Sequence, residues 1–259
     1  MTELLLESLR SFPPLKESIS QINQICASRD TDINALSKVI ETDPLLYGEL
    51  LRAVNAPFYS FKNEIKSVKQ AVSLFGISMI RGFCLAIAIK KHTYTDLSAY
   101  NITPEQWIAL MQRQQQFLYL WLMKEDREAL NQLGALSFML EIGRLVCAYA
   151  LMFSDNVYTF TQTDPIKLAL EEQNIIELSG DVLAGELFKQ WFYEPDFINL
   201  FTHSLAPQDA NDPRLATMLY ITRSLFTLDG VQPFERIEPL IRQHGFTREF
   251  LENAYNNLN

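Results

Sequence analysis

The stretch VIETDPLLYGELLRAVNAPFYSFKNEIKSVKQAVSLFGISMIRG, residues 39–82, decides the fold. Asp43 precedes Pro44, so a carboxylate can accept from free N–H groups of a starting helix while the proline presets its first turn. Leu45, Leu46, Leu50, Leu51 and Val54 then give that helix an apolar face. Asn55 suits the helix end, because its side chain bonds locally and tolerates left-handed backbone, and Pro57 keeps the helix from resuming. Val68, Ala71, Val72 and Phe75 recur at i, i+3, i+4 and i+7, which predicts a second amphipathic helix ending at Gly76.

The same punctuation continues outward. Thr103-Pro104, Asp164-Pro165 and Asp212-Pro213 repeat the pairing of a capping side chain with proline, and Gln106 completes a capping box with Thr103. Trp107, Leu110, Gln114, Phe117 and Trp121 share one helix face. Gly180 precedes a further helix and Asp229-Gly230 marks a turn. No stretch alternates apolar and polar residues long enough for a sheet, so the fold class is all-α. The polar connection HTYTDLSAYNITPE, from His92 to Glu105, marks a subdomain boundary. It divides the chain into an N-terminal helical part (1–95), a larger helical region (96–232) and a C-terminal helical extension (233–259).

Composition narrows the classes of function. With 259 residues, 48% apolar and 12% aromatic, the chain can bury a sizeable core. A net charge of -9 and no basic run longer than Lys90-Lys91 disfavour nucleic acid as a partner. The three cysteines, Cys26, Cys84 and Cys147, lie far apart and read as reduced thiols, the latter two in the core. Glu3 and Glu7 among the leading leucines argue against a signal peptide, so a cytoplasmic protein is expected. The segment LGALSFMLEIGRLVCAYALMF, residues 133–153, is long enough to span a bilayer, but Glu141 and Arg144 fall near its middle. At about 2.5–3.5 kcal/mol for each central charge, a buried central helix with an i,i+3 ion pair is the expectation, and no membrane partner.

The residues of 39–82 also carry a family resemblance. Asp43-Pro44, Leu50-Leu51, Asn55-Ala56-Pro57-Phe58, Ile65, Ser67, Gln70-Ala71, Leu74 and Gly76 resemble the HDOD family, the HD-related output domains of bacterial signalling proteins. The likeness runs on more weakly through most of the chain. It implies a helical N-terminal bundle packed on a degenerate region related to HD phosphohydrolases, a bacterial source, and a non-catalytic role in signalling.

An HD phosphohydrolase needs imidazoles and carboxylates converging on divalent ions that polarise a phosphoryl oxygen and acidify a water. Aligned on the family pattern, the first histidine would follow Trp107, where this chain has Ile108, Ala109 and Leu110. The His-Asp dyad falls on Leu140-Glu141, with Leu140 filling the imidazole space and Gly143 permitting close helix packing. A third histidine would lie near Asp181, a fourth near His203, and the last carboxylate near Thr222. Glu141, Asp181 and His203 therefore remain as relic ligands, and neither a metal site nor another cofactor is expected. His92 belongs to the polar connection and His244 to a helix end. No GxSxG, P-loop, HExxH or GxGxxG motif supplies another chemistry.

The expected function is a non-catalytic regulatory module acting through a protein partner. One alternative is a residual metal-dependent phosphohydrolase using Glu141, Asp181 and His203. Another is a cyclic-dinucleotide-linked sensor, which would want clustered arginines, whereas Arg144, Arg214 and Arg223 read as separate surface pairs. Phe58, Tyr59 and Phe61 read first as packing residues, and Asn55 as a turn scaffold. Because loops held on rigid helices commonly carry recognition, Asn55, Phe58 and Tyr59 are also the candidate partner-binding residues, together with the His92–Glu105 connection.

Overall fold

The computed structural model describes residues 2–28, 31–90 and 95–258. Among them are fifteen α-helices and one two-stranded ladder, so the all-α expectation holds. The N-terminal part comprises α1 (Thr2–Ser8), α2 (Glu17–Cys26), α3 (Ile33–Thr42), α4 (Pro44–Val54), α5 (Val68–Phe75) and α6 (Ile77–Lys90). The long α7 (Pro104–Glu125) leads into α8 (Arg127–Leu133), α9 (Ile142–Leu151), α10 (Pro165–Ile176), α11 (Gly180–Gln190), α12 (Pro195–Thr202) and α13 (Pro213–Leu225). Then β1 (Phe226–Thr227) and β2 (Gly230–Val231) pair antiparallel around Asp229-Gly230, before α14 (Glu238–His244) and α15 (Arg248–Asn256). His92 lies outside the described residues.

All four proline-led helix starts form with the expected caps. The side chains of Asp43, Thr103, Asp164 and Asp212 accept from N–H groups of the first turns of α4, α7, α10 and α13, and Thr103 with Gln106 closes a full capping box. Asp43 also ties α4 to α2, accepting from Lys16 Nζ at 2.7 Å and Ser18 Oγ at 3.0 Å. Between α5 and α6 the chain turns through 118° at Gly76, whose φ of +82° a side chain would resist.

Two local expectations need correcting. Leu45 is 54% exposed, so the core face of α4 is carried by Leu46, Leu50 and Val54, with Leu51 half-buried. The stretch 133–153 is also not one helix: it comprises the end of α8, a 3-10 turn over Leu136–Phe138, and the ten-residue α9. The break leaves Glu141 at the entrance of α9 with φ -111°, ψ 12° and no capping bond from its side chain. Among the described residues no single helix is long and apolar enough to cross a membrane.

One continuous core joins the two halves. α6 packs against α8 and the Leu136–Phe138 turn, while α1 packs against α9 and α11. α7 threads the second half with Trp107, Gln114, Phe117 and Trp121 all buried, and α15 closes over it, Phe246 meeting Trp121 edge-on at 5.1 Å. At the crossing of α9 and α11, main chain meets main chain. A Cβ on Gly143 would lie 2.8 Å from the Gly180 carbonyl carbon, and one on Gly180 would lie 2.7 Å from the Gly143 oxygen. These glycines bring the backbones into contact, as expected of Gly143, and set the side chains around the crossing.

Candidate functional site

The α9–α11 crossing holds a buried cluster of charged groups. Glu141, 2% exposed, is fixed from α7 by residues two turns apart: Trp107 Nε1 donates to its backbone oxygen at 2.8 Å, and Gln114 Nε2 donates to Oε1 at 2.6 Å. The same amide of Gln114 also donates to the Phe226 carbonyl at 2.9 Å, fastening the β1 strand to this point. Glu141 forms the expected i,i+3 ion pair with Arg144.

Arg223 approaches from α13. Its Nη1 donates to Asp181 Oδ2 at 2.6 Å and to Ser204 Oγ at 2.8 Å, and its Nε stands 3.9 Å from Glu141 Oε1. Arg144 and Arg223 are each 4% exposed, so reading them as surface pairs was wrong. Burial of both guanidiniums requires nearby carboxylates, since an unpaired charge in this medium would be prohibitive. Burial, followed by repulsion from Arg223, pushes Arg144 down to about 10, leaving it charged at neutral pH. Arg214 is exposed as expected, its guanidinium donating to the His244 carbonyl at 3.0 Å.

A third carboxylate escaped the sequence reading. Glu172 on α10 is 3% exposed, accepting from Tyr100 OH at 2.7 Å and from the Gly180 N–H at 2.6 Å. Burial pushes its carboxyl up to about 7, against the pull of these two bonds. Two arginines thus balance Glu141 and Asp181, while Glu172 can lie neutral beside them. The signal for it was available: Glu172 falls four residues after Leu168 and four before Ile176, on the apolar face of α10. Cys147 is buried close by, and burial drives its thiol upward, away from nucleophilic use.

The donor set does not fit the metal centre that the HD resemblance implies. Leu140 is fully buried where an imidazole would stand, and Thr222 donates its hydroxyl to the Met218 carbonyl at 2.9 Å. Glu141 and Asp181 both approach Arg223, whereas His203 ends α12 with Nδ1 2.9 Å from the Asn199 oxygen. Among the described residues no three histidine, cysteine or acidic side chains form a group that could hold an ion. The remaining space beside Gly143, Glu172, Asp181 and Arg223 is about 10 Å³, room for one water at most.

The turn after α4 holds the other candidates. Asn55 Nδ2 donates to the carbonyls of Leu51 at 2.8 Å and Ile65 at 2.9 Å, and its Oδ1 accepts from the Ile65 N–H at 2.8 Å. Its side chain is thus engaged in clasping the loop. Phe58 and Tyr59 are half-buried and pack edge-on at 5.0 Å, Tyr59 in turn meeting Phe75 at 4.7 Å and Tyr119 at 5.1 Å.

Comparison with solved structures returns the same fold. A signal-transduction candidate from Marinobacter aquaeolei VT8 matches with a TM-score of 0.66 at 16% identity, covering 99% of this chain and 62% of that one. The chain therefore spans less than two thirds of that protein's length. An HDOD domain protein of unknown function from Geobacter sulfurreducens matches with a TM-score of 0.66 at 14% identity, covering 98% and 88% of the two chains. A phosphohydrolase candidate from Shewanella amazonensis SB2B matches with a TM-score of 0.63 at 15% identity, covering 98% and 93%. At such identities these likenesses speak for the fold alone. No curated protein matches the chain in sequence. The HDOD domain model matches residues 12–207, from before α2 to the loop after α12, and the chain belongs to the HDOD domain family.

Proposed function

We propose that this chain is a non-catalytic regulatory module of bacterial signalling that acts by binding a protein partner. The observation that carries the reading is Arg223, whose guanidinium stands between Glu141 and Asp181, the acidic groups of the degenerate HD site. A cation carried on the chain can neutralise those carboxylates, but it offers no open coordination position and activates no water. The side chains that remain act as an internal brace, holding α7, α9, α11 and α13 in one arrangement. Such a rigid body suits recognition through surface loops, and the Asn55–Tyr59 turn is one surface available for it. The cyclic-dinucleotide alternative draws no support from Arg144 and Arg223, which come together in the core against carboxylates.

The test is hydrolysis of bis(4-nitrophenyl) phosphate by the purified chain with Mn²⁺, Fe²⁺ or Zn²⁺. No turnover above the metal-only control is expected. Metal-dependent turnover that disappears in Asp181→Asn would overturn the proposal and restore the phosphohydrolase reading.

A further inference from the structure

The end of α11 takes a turn that its sequence does not favour. The Phe192 N–H donates to the Lys189 carbonyl at 3.1 Å and the Tyr193 N–H to the Phe188 carbonyl at 3.0 Å, the paired bonds of a Schellman turn. That turn needs one residue in left-handed backbone, and here it is Phe192, with φ +59°. Glycine is the usual occupant, because a side chain at such φ crowds the following carbonyl. The other non-glycine residues of positive φ among the described ones are Ser60, Asn101 and Glu177, all polar.

Burial does not compensate for the strain. Trp191 and Tyr193 on either side are sunk in the core, while Phe192 is 78% exposed. The ring adds little to the core and strains the turn that carries it, the combination that marks a functional position. Beside it opens a shallow depression of about 650 Å³, bordered by Phe192 itself, Tyr193, Pro195, Ile198 and Thr202. Charges of both signs border it too: Lys189 on the α11 side of Phe192 and Glu194 at the start of α12. Lys189 pairs with exposed Glu186 and Glu194 with Arg81, yet their side chains remain 58% and 33% exposed.

A projecting ring, a hollow, a cation and a carboxylate on one patch make that patch complementary to itself. An unlike partner would call for a ring or a hollow; a second copy calls for both, with both signs of charge. We propose that this face pairs with a second copy of the chain, in a two-fold dimer anchored by Phe192. A two-fold axis beside Phe192 lays the α11 side of one copy on the α12 side of the other. Each ring then enters the other copy's hollow, and each Lys189 meets a Glu194. An aromatic anchor at the centre with charges at the rim is the anatomy of an interface hot spot. The patch is small, so the association is weak and reversible. The dimer uses neither the Asn55–Tyr59 turn nor the charged cluster, and does not rest on the regulatory reading.

The experiment is sedimentation velocity of the full chain at concentrations up to about 200 μM, with Phe192→Gly and Lys189→Glu alongside. Glycine suits the left-handed turn, so Phe192→Gly removes the anchor and relaxes the backbone together. Its urea midpoint, read by tryptophan fluorescence where the wild type is monomeric, is expected to equal or exceed that of the wild type. A concentration-dependent monomer–dimer equilibrium is expected of the wild type, weakened at least tenfold in Phe192→Gly and at least threefold in Lys189→Glu. A wild type that stays monomeric would overturn the proposal and leave the ring to an unlike partner. Assembly beyond the dimer, or a dimer unchanged in either variant, would overturn the two-fold arrangement. A midpoint lowered by Phe192→Gly would assign the ring to the fold instead.

Discussion

Gly143 of α9 and Gly180 of α11 touch backbone to backbone, and a methyl group on Gly180 would lie 2.7 Å from the Gly143 oxygen. Main chain stands on both sides of the contact, so neither partner can swing aside. Gly180→Ala is therefore expected to destabilise the fold by about 1–3 kcal/mol through overpacking. Urea denaturation followed by circular dichroism reads it, and an unchanged midpoint would show that the crossing can open freely.

Arg223 is the cation shared by the α9 and α11 carboxylates. Arg223→Met keeps much of the volume and removes the charge, leaving Asp181, whose side chain is 11% exposed, without its partner. The expected loss is about 3–5 kcal/mol. Adding Asp181→Asn should recover part of that loss, so the double variant is more stable than the sum of the singles predicts. Strict additivity in the denaturation cycle would mean the two groups do not interact.

Glu172 makes the stability depend on pH with a definite sign. Its folded carboxyl titrates at about 7, above the ordinary 4.5, so between those values the folded state holds a proton the unfolded state has released. Its contribution is fully present below pH 4.5 and is lost as pH rises through 7. Relative to Glu172→Gln, the wild type should therefore lose stability across this window, on the order of 3 kcal/mol in total, and level off above it. Parallel denaturation series of the two proteins at several pH values check this; a wild type that holds or gains stability relative to Glu172→Gln as pH rises from 4.5 to 7 would contradict it.

Asn55 closes the loop from Leu51 to Ile65 with three hydrogen bonds. Asn55→Ala strands the Ile65 amide and carbonyl in a half-buried position, at an expected cost of about 2 kcal/mol. Faster amide exchange confined to residues 55–66, measured alongside the melting curve, would place the loss in the loop.

The elements legible in the sequence were those whose signals are local. A carboxylate or hydroxyl before proline marks four helix starts, since both cap and turn are settled within four residues. The pairing of Glu141 with Arg144 was legible for the same reason. Leu45 misled because apolar character does not say which face meets the core. The stretch 133–153 misled because its apolar run conceals a 3-10 turn, required where the chain re-aims from α8 to α9. Of the candidate site, the losses at Leu140 and Thr222, the carboxylates Glu141 and Asp181 and the pairing with Arg144 were legible. Its replacement was not, because Arg223 reaches Glu141 and Asp181 from another helix, and nothing in the residues around Arg223 declares that tertiary meeting.

A divalent ion can be withheld by a poor medium, stripped by a chelator, or displaced by a competitor higher in the affinity order of the transition metals. The guanidinium of Arg223 is subject to none of these, because it is inherited with the chain. The centre is complete as soon as α13 docks beside α11, with no loading step and no dependence on supply. A brace of this kind would hold α9, α11 and α13 together whatever the supply of metal.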